Sequence, residues 1–268
     1  MELSHLYNDI PIRYPELRGK AALVTGSGRG IGKGIAIRLA REGVRVVITA
    51  RTASAVDETV AELDEVGATA VGVAADISTD DGRTAVLRRC LDAFGAVDIL
   101  VNNAADLTRV HIFDVDTDLL DRELRTNVRA AYLLSQEAAT HMAEGGGGRI
   151  INVSSVGGLR AHWRALPYDM TKGAMDAMTR AMALELADHN VLVNAVAPGA
   201  TYNRGLTRPA ETRSHYKSGI PLRRPSDPIE MGGIVTFLAS DDAAYITGQI
   251  LYVDGGITIQ LGTRDTPL

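Results

Sequence analysis

One cysteine, Cys90, occurs in 268 residues. The chain can therefore form no internal disulfide and no Cys-rich metal site, a usage that fits a reducing compartment. Aromatic residues make up only 4% of the sequence; the 46% hydrophobic content is mostly aliphatic and, with 27 glycines, suits helices packed on a sheet with many tight turns. Neither charge sign dominates. Lys plus Arg is 28 against 33 for Asp plus Glu, a net charge of -5, which excludes a field built for nucleic acid or an anionic membrane and leaves small molecules as the expected partners. Apolar runs of membrane-spanning length are missing, and the first residues lack the basic flank and apolar stretch of a signal peptide, so a soluble cytoplasmic protein is expected. Nor is there an internal repeat, a low-complexity linker or a shift in composition. The expectation is an irregular arm over residues 1–18, holding Pro11 and Pro15, and one domain over residues 19–268.

Within that domain, strand-like and helix-like stretches alternate throughout, the pattern of a doubly wound α/β fold with helices on both faces of a parallel sheet. Residues 21–25 form a short apolar strand, followed at once by Gly26-Ser27-Gly28-Arg29-Gly30-Ile31-Gly32 and a helix to about residue 42. Glycines at such a junction permit a tight turn and let a pyrophosphate approach the backbone, while the helix N-terminus neutralises its charge. A second strand over 44–49 ends at Arg51, where a dinucleotide fold meets the adenosine ribose. An acidic residue there would accept from both ribose hydroxyls, whereas Arg51, helped by Arg29, suits a 2'-phosphate; NADP(H) is preferred and NAD(H) is possible. A third strand, 69–74, leads to Asp76-Ile77, where a carboxylate can meet the adenine amino group, although Asp76 can equally cap the next turn. A fourth, within 97–105, runs into Asn102-Asn103-Ala104, whose amides can brace turns beside a cofactor.

A fifth strand, 149–153, delivers Ser154 and Ser155, and a helix over 168–188 opens with Tyr168-Asp169-Met170-Thr171-Lys172. Residues four apart share a helix face, so Tyr168 and Lys172 lie side by side; an adjacent ammonium is expected to lower the phenol pKa and let it exchange a proton with an alcohol or carbonyl oxygen. Ser155 can hold the same oxygen. Taken alone, such a pair is ordinarily an exposed helical pair. Asn127, inside an expected helix over 119–141, is a polar amide that demands a partner. A sixth strand, 191–196, precedes Pro198-Gly199, and the cationic stretch 200–228, with Arg204, Arg208, Arg213, His215 and Lys217, is expected to form a substrate lid. His162, Trp163 and Arg164 are expected to line the pocket. No His/Cys/Asp/Glu spacing suggests a metal.

The ordered set Thr25-Gly26-x-x-x-Gly30-x-Gly32, Asn102-Asn103-Ala104, Ser155, Tyr168-x-x-x-Lys172, Asn194 with Pro198-Gly199, and Asp254-Gly255-Gly256 resembles the short-chain dehydrogenase/reductase (SDR) family over about residue 18 to the last strand. The resemblance implies a Rossmann-type domain with seven parallel strands, a nicotinamide cofactor that supplies the hydride, and a homotetramer built through the long fourth and fifth helices. It implies that Tyr168 is the acid/base, that Lys172 lowers its pKa and binds the nicotinamide ribose, and that Ser155 orients the substrate oxygen. Asn127 holds a proton-relay water on the same reading. The cofactor would lie along Gly26, Gly28, Arg29, Gly30, Ile31 and Gly32, then Arg51, Asp76, Ile77, Asn103 and Ala104, and finally Tyr168, Lys172, Pro198, Gly199 and Thr201. The substrate would meet Ser155, His162, Trp163 and Tyr168. The expected activity interconverts a ketone and a secondary alcohol on a small molecule. The alternatives are a 3-oxoacyl-carrier-protein reductase, resembled through 219–224 and 246–248, and a catalytically silent dinucleotide-binding sensor or scaffold. Two departures stand out: Asp169-Met170-Thr171 replaces the usual x-Ala-Ser between Tyr and Lys, and Asn203 stands where many relatives place a threonine.

Overall fold

The computed structural model describes residues 3–202, 205–206 and 219–262. Its strands are β1 (Ala21–Thr25), β2 (Arg45–Ala50), β3 (Ala70–Ala74), β4 (Ile99–Asn102), β5 (Gly148–Val153), β6 (Val191–Pro198) and β7 (Ile250–Val253). They form one seven-stranded parallel sheet in the order β3-β2-β1-β4-β5-β6-β7. The order reverses between β1 and β4, and a parallel sheet opens a crevice beyond its carboxyl ends at such a point.

The α-helices among the described residues are α1 (Leu3–Asp9), α2 (Gly30–Arg41), α3 (Ala53–Glu65), α4 (Asp80–Phe94), α5 (Thr117–Leu124), α6 (Ala130–Glu144), α7 (Leu166–Glu185) and α8 (Pro228–Ala239). Successive strand residues point to opposite faces, so a strand covered on both sides must be apolar throughout. β1 obeys this: Ala22 and Val24 pack with Ile35, Leu39, Leu63, Met231 and Val235 of α2, α3 and α8. Ala21 and Leu23 pack on the other face with Val86, Cys90, Leu134 and Met182 of α4, α6 and α7. Cys90 is a buried packing residue whose thiol pKa burial pushes up to about 12. The architecture is the Rossmann-type doubly wound sheet that the alternation of strands and helices led us to expect.

Three local features differ from the sequence expectation. The arm is not irregular: α1 carries a buried Tyr7, whose hydroxyl donates to Ala40 O (2.9 Å) at the end of α2. Glu42 Oε2 accepts from the Arg13 and Tyr14 amides (2.8 and 2.9 Å), and Arg41 Nε donates to Ile10 O (2.7 Å). Seven residues without an apolar period leave no signal, because the helix is held by these long-range contacts. Secondly, the helix expected over 119–141 is interrupted by a π-turn, Arg125–Arg129, that separates α5 from α6. Thirdly, about half of the expected lid, residues 203–204 and 207–218 with Arg204, Arg208, Arg213, His215 and Lys217, lies outside the described residues. The edges of that excursion meet, with Thr201 Oγ1 and Ser226 Oγ 2.9 Å apart.

α2 and α8 cross backbone to backbone, because a Cβ on Gly34 would sit 2.5 Å from the Pro228 carbonyl carbon and one on Gly232 would sit 2.7 Å from Gly34 O. Neither backbone can yield without moving a helix off the sheet. Gly34→Val is expected to destabilise the protein by about 3 kcal/mol, lowering Tm by roughly 6–12 °C. An unchanged melting temperature would contradict the close crossing.

Candidate active site

The crevice at the β1–β4 reversal is a cleft of about 530 Å³. Its floor is the glycine loop. Gly26 adopts φ +65°, the left-handed region that favours glycine, and a Cβ on Gly32 would collide with Gly26 O and the Asn103 amide. Asn103 Nδ2 donates to Thr25 O and Gly26 O (2.8 and 3.1 Å), so its side chain braces the turn. Thr25 Oγ1 completes the joint by accepting from the Asn103 and Ala104 amides (2.9 and 3.0 Å). Gly28, Arg29, Gly30, Ile31, Arg51, Asp76, Ile77, Ala104 and Thr201 also line this cleft. Arg29 and Arg51 are exposed on its rim, and their side chains make no ion pair or hydrogen bond among the described residues. Asp76 Oδ1 accepts from the Ser78 amide (2.9 Å), so the capping role foreseen for it coexists with its place on the cleft wall. Pro198 ends β6 and Gly199 follows it, both outside that lining. There a Cβ on Gly199 would sit 2.8 Å from Asp254 Cα, and the terminal Asp254-Gly255-Gly256 turn packs against them.

β5 and α7 bring Ser155, Tyr168 and Lys172 together. Ser155 Oγ accepts from the Gly157 amide (3.0 Å), and Ser155 lies close enough to Tyr168 to act on its phenol. Lys172 is 2% exposed; its Nζ donates to Val153 O at the end of β5 (2.7 Å) and lies 5.5 Å from the Tyr168 ring centroid. Burial pushes the Lys172 pKa down to about 8, opposed by the charge of Asp176 one turn further on. Ser154 Oγ in turn donates to Asp176 Oδ1.

The expected lowering of the Tyr168 pKa by Lys172 is overturned. The phenol pKa is raised: burial disfavours the phenolate, nearby Ser155 opposes that, Asp169 and Glu123 add to the rise, and Arg109 counters it. Desolvation wins because both partners of the pair lie in the same dry environment, which penalises each charge.

Asn127 lies in the π-turn and is fully buried. Its Oδ1 accepts from Asp106 N (2.7 Å), while Nδ2 donates to Asp106 O (2.9 Å) and to Thr171 Oγ1 (3.0 Å). Thr171 Oγ1 then donates to Tyr168 O (2.7 Å). The side-chain amide is thus a brace between the β4 loop and the start of α7. His162 pairs with Asp169, through Nδ1 to Oδ1 (2.8 Å) and through its amide to Oδ2 (2.6 Å). Trp163, expected to line the pocket, is 93% exposed, and it is its carbonyl that is held, by Arg109 Nη1 (3.1 Å).

Comparison with known proteins bears directly on this arrangement. A family model described as enoyl-(acyl carrier protein) reductase matches residues 26–258. Dehydrogenase/reductase SDR family member 4 of Sus scrofa is 36% identical over 253 residues, covering 93% of this chain and 91% of that protein. The chain belongs to the short-chain dehydrogenase/reductase family. Glucose 1-dehydrogenase 2 of Bacillus subtilis is 36% identical over 252 residues (92% of this chain, 97% of that one). The solved structure of a short-chain type dehydrogenase/reductase from Mycobacterium marinum superposes with a TM-score of 0.84 at 33% identity, covering 91% of this chain and 97% of that one.

As an SDR protein the chain is an oxidoreductase of the dehydrogenase/reductase kind acting on CH–OH groups, and the family uses nicotinamide nucleotides. The residues present fit such a group: a glycine-lined cradle at the N-terminus of α2 opens on a cleft wide enough for a dinucleotide. Among the described residues, no group of three or more His, Cys, Asp or Glu could hold a metal ion, and no helix is long and apolar enough to cross a membrane.

Three residues near the site escaped the sequence reading. Thr25 was quoted only as part of a motif. Asp169 stood only among the departures from the usual motif, yet a Cβ on Gly157 would collide with its carboxylate, so the turn after Ser155 is shaped around it. Glu123 carried a signal that could have been used, a carboxylate four residues from both Leu119 and Asn127 on the buried side of α5.

The buried ammonium of Lys172 costs stability. Its pKa of about 8 lies below the ordinary 10.5, so the folded state resists protonation, and stability rises with pH between those two values. Lys172→Met, which removes the charge and keeps the bulk, is expected to raise stability at pH 7 by on the order of 3 kcal/mol and to abolish turnover. Chemical denaturation at neutral and alkaline pH checks this; a destabilised variant at pH 7 would contradict it.

Proposed function

We propose that the protein is an NADP(H)-dependent reductase interconverting a ketone and a secondary alcohol on a small molecule. The observation that carries this reading is the convergence of Ser155, Tyr168 and the buried Lys172 ammonium, whose Nζ lies 5.5 Å from the Tyr168 ring centroid, at the carboxyl end of β5. When bound, the nicotinamide would supply a hydride to the carbonyl carbon. Tyr168 donates its phenolic proton to the carbonyl oxygen, for which burial suits it, since the raised pKa keeps the phenol protonated across the neutral range. Ser155 donates a hydrogen bond to the same oxygen, and the charge on Lys172 offsets the negative charge developing on the phenol. The rim cations Arg29 and Arg51 support a 2'-phosphate contact. His162, oriented through Nδ1 by Asp169, borders the substrate side. We read residues 19–268 as one domain with the lid over 200–228.

Carrier-protein recognition finds little support, because the regions that would present cations to an acidic carrier expose Glu144 and Glu185 instead. Exposed Tyr132 on α6 and Leu184 on α7 support assembly into a homotetramer through those helices.

Tyr168→Phe is expected to lose turnover by at least about a hundredfold while keeping NADPH affinity; near-wild-type rates with a panel of ketones would remove Tyr168 as the acid. Reduction needs both a protonated phenol and a charged ammonium, and Lys172 titrates first. The wild-type rate should therefore hold level through neutrality and fall as pH rises through about 8; a rate that climbs with pH would contradict the assignment. Arg51→Ala is expected to weaken NADPH by about tenfold or more with little effect on NADH, and equal losses for the two would remove the 2'-phosphate contact.

A further inference from the structure

Glu123 is a buried charge that the chemistry above does not use. It is 0% exposed; Oε1 accepts from Thr108 N (2.8 Å), and Oε2 is buried with no hydrogen-bond partner. A half-satisfied buried carboxylate is costly, so the position carries something an apolar residue would not.

What it holds is a short segment leading from β4 toward the substrate side of Tyr168. Asn127 grips Asp106 through both its amide and its carbonyl. Arg122 Nε donates to Asp106 Oδ2 (2.8 Å) and Nη2 to Thr108 Oγ1 (3.2 Å), while Glu123 takes the Thr108 amide. Over the next two residues, Arg109 Nη1 reaches Trp163 O and Val110 N donates to Arg164 O (2.8 Å). Arg164 adopts φ +62°, an unfavourable conformation for arginine that persists only where neighbours impose it. The α5 side chains thus fix one loop, and that loop fixes the other.

We propose that Glu123 is a positioning residue of the active site, its carboxylate pinning the Asp106–Val110 segment so that Arg109 and the Trp163–Arg164 turn are held beside Tyr168. The inference rests on the assignment of Tyr168 as the acid. The groups facing Glu123 are Asp106 and Arg122 on the loop and its own helix, and Asp169 on α7; together with burial and the Thr108 amide they leave its pKa raised. The groups facing Tyr168 are Ser155, Asp169, Arg109 and Lys172, and the negative charge of Glu123 reaches the phenol as well, disfavouring its ionisation.

The test needs no turnover. Trp163 is the sole tryptophan of the chain and sits on the turn in question, so its fluorescence anisotropy reports how firmly that turn is held. The phenolate absorbance of Tyr168 is obtained by subtracting the alkaline titration of Tyr168→Phe. Glu123→Gln keeps the acceptor for Thr108 N and removes the charge. It is expected to leave Trp163 anisotropy unchanged and to shift the Tyr168 titration to lower pH, a shift that a purely structural role would not produce. Glu123→Ala removes the acceptor and is expected to lower the anisotropy; if that variant does not fold, Glu123→Leu fills the volume without the acceptor and reads the same arm. Unaltered anisotropy in the acceptor-free variant, or an unmoved Tyr168 titration in Glu123→Gln, would overturn the proposal. Both outcomes are separate from the failure of the reductase reading, which active Tyr168→Phe would signal.

Discussion

A single ammonium group withdrawn from water governs the site. Lys172 reaches the backbone of β5 with one strong hydrogen bond, to Val153 O, and burial drives its pKa to about 8. A charge in that position is tolerated only because the surroundings are arranged for it: the strand end supplies a carbonyl dipole, and Asp176 supplies a carboxylate one turn away. The same dryness raises the phenol of Tyr168 and makes it a donor rather than a base at rest. Acid and ammonium are therefore consequences of one environment, set by where β5 stops and α7 starts.

The sheet explains why that environment lies where it does. β1, β4 and β5 are neighbours, so their carboxyl ends present the glycine loop, the Asn103 brace and Ser155 along one edge of the crevice. Buried polar side chains lock these ends together. Asn102 Nδ2 donates to Ser135 Oγ and Asn152 Oδ1 (2.8 and 2.9 Å), and Asn152 Nδ2 donates to Thr179 Oγ1 (2.9 Å), tying β4 and β5 to α6 and α7. Networks of this kind fix register more than they add stability. Through Asn127 and Thr171 the same logic extends to the backbone of Tyr168 itself.

Much of this was legible from local chemistry. Doubly buried strands such as Ala21–Thr25 have to be apolar throughout, and a glycine run between a strand and a helix has few other uses, so fold and cleft followed directly. Helical spacing placed Tyr168 beside Lys172. It could not give the sign of the electrostatics, because desolvation depends on what the rest of the chain packs above the pair. α1 was invisible for a related reason: its order comes from Ala40 and Arg41, more than thirty residues away. The π-turn at Asn127 was hidden because a one-residue insertion in a helix leaves the apolar pattern nearly intact. Trp163, expected to line the pocket, instead sits on a turn that projects its ring into solvent.

The most direct test is the titration of Lys172 itself. The chain's lysines are Lys20, Lys33, Lys172 and Lys217, so lysine labelled with ¹³C at Cε gives a simple NMR spectrum in which the Lys172 resonance is assigned by its loss from Lys172→Met. A midpoint near 8 is the result this account requires. A midpoint at the ordinary lysine value of 10.5 would mean that the amine is solvated, and the arrangement of acid and charge described above would not hold.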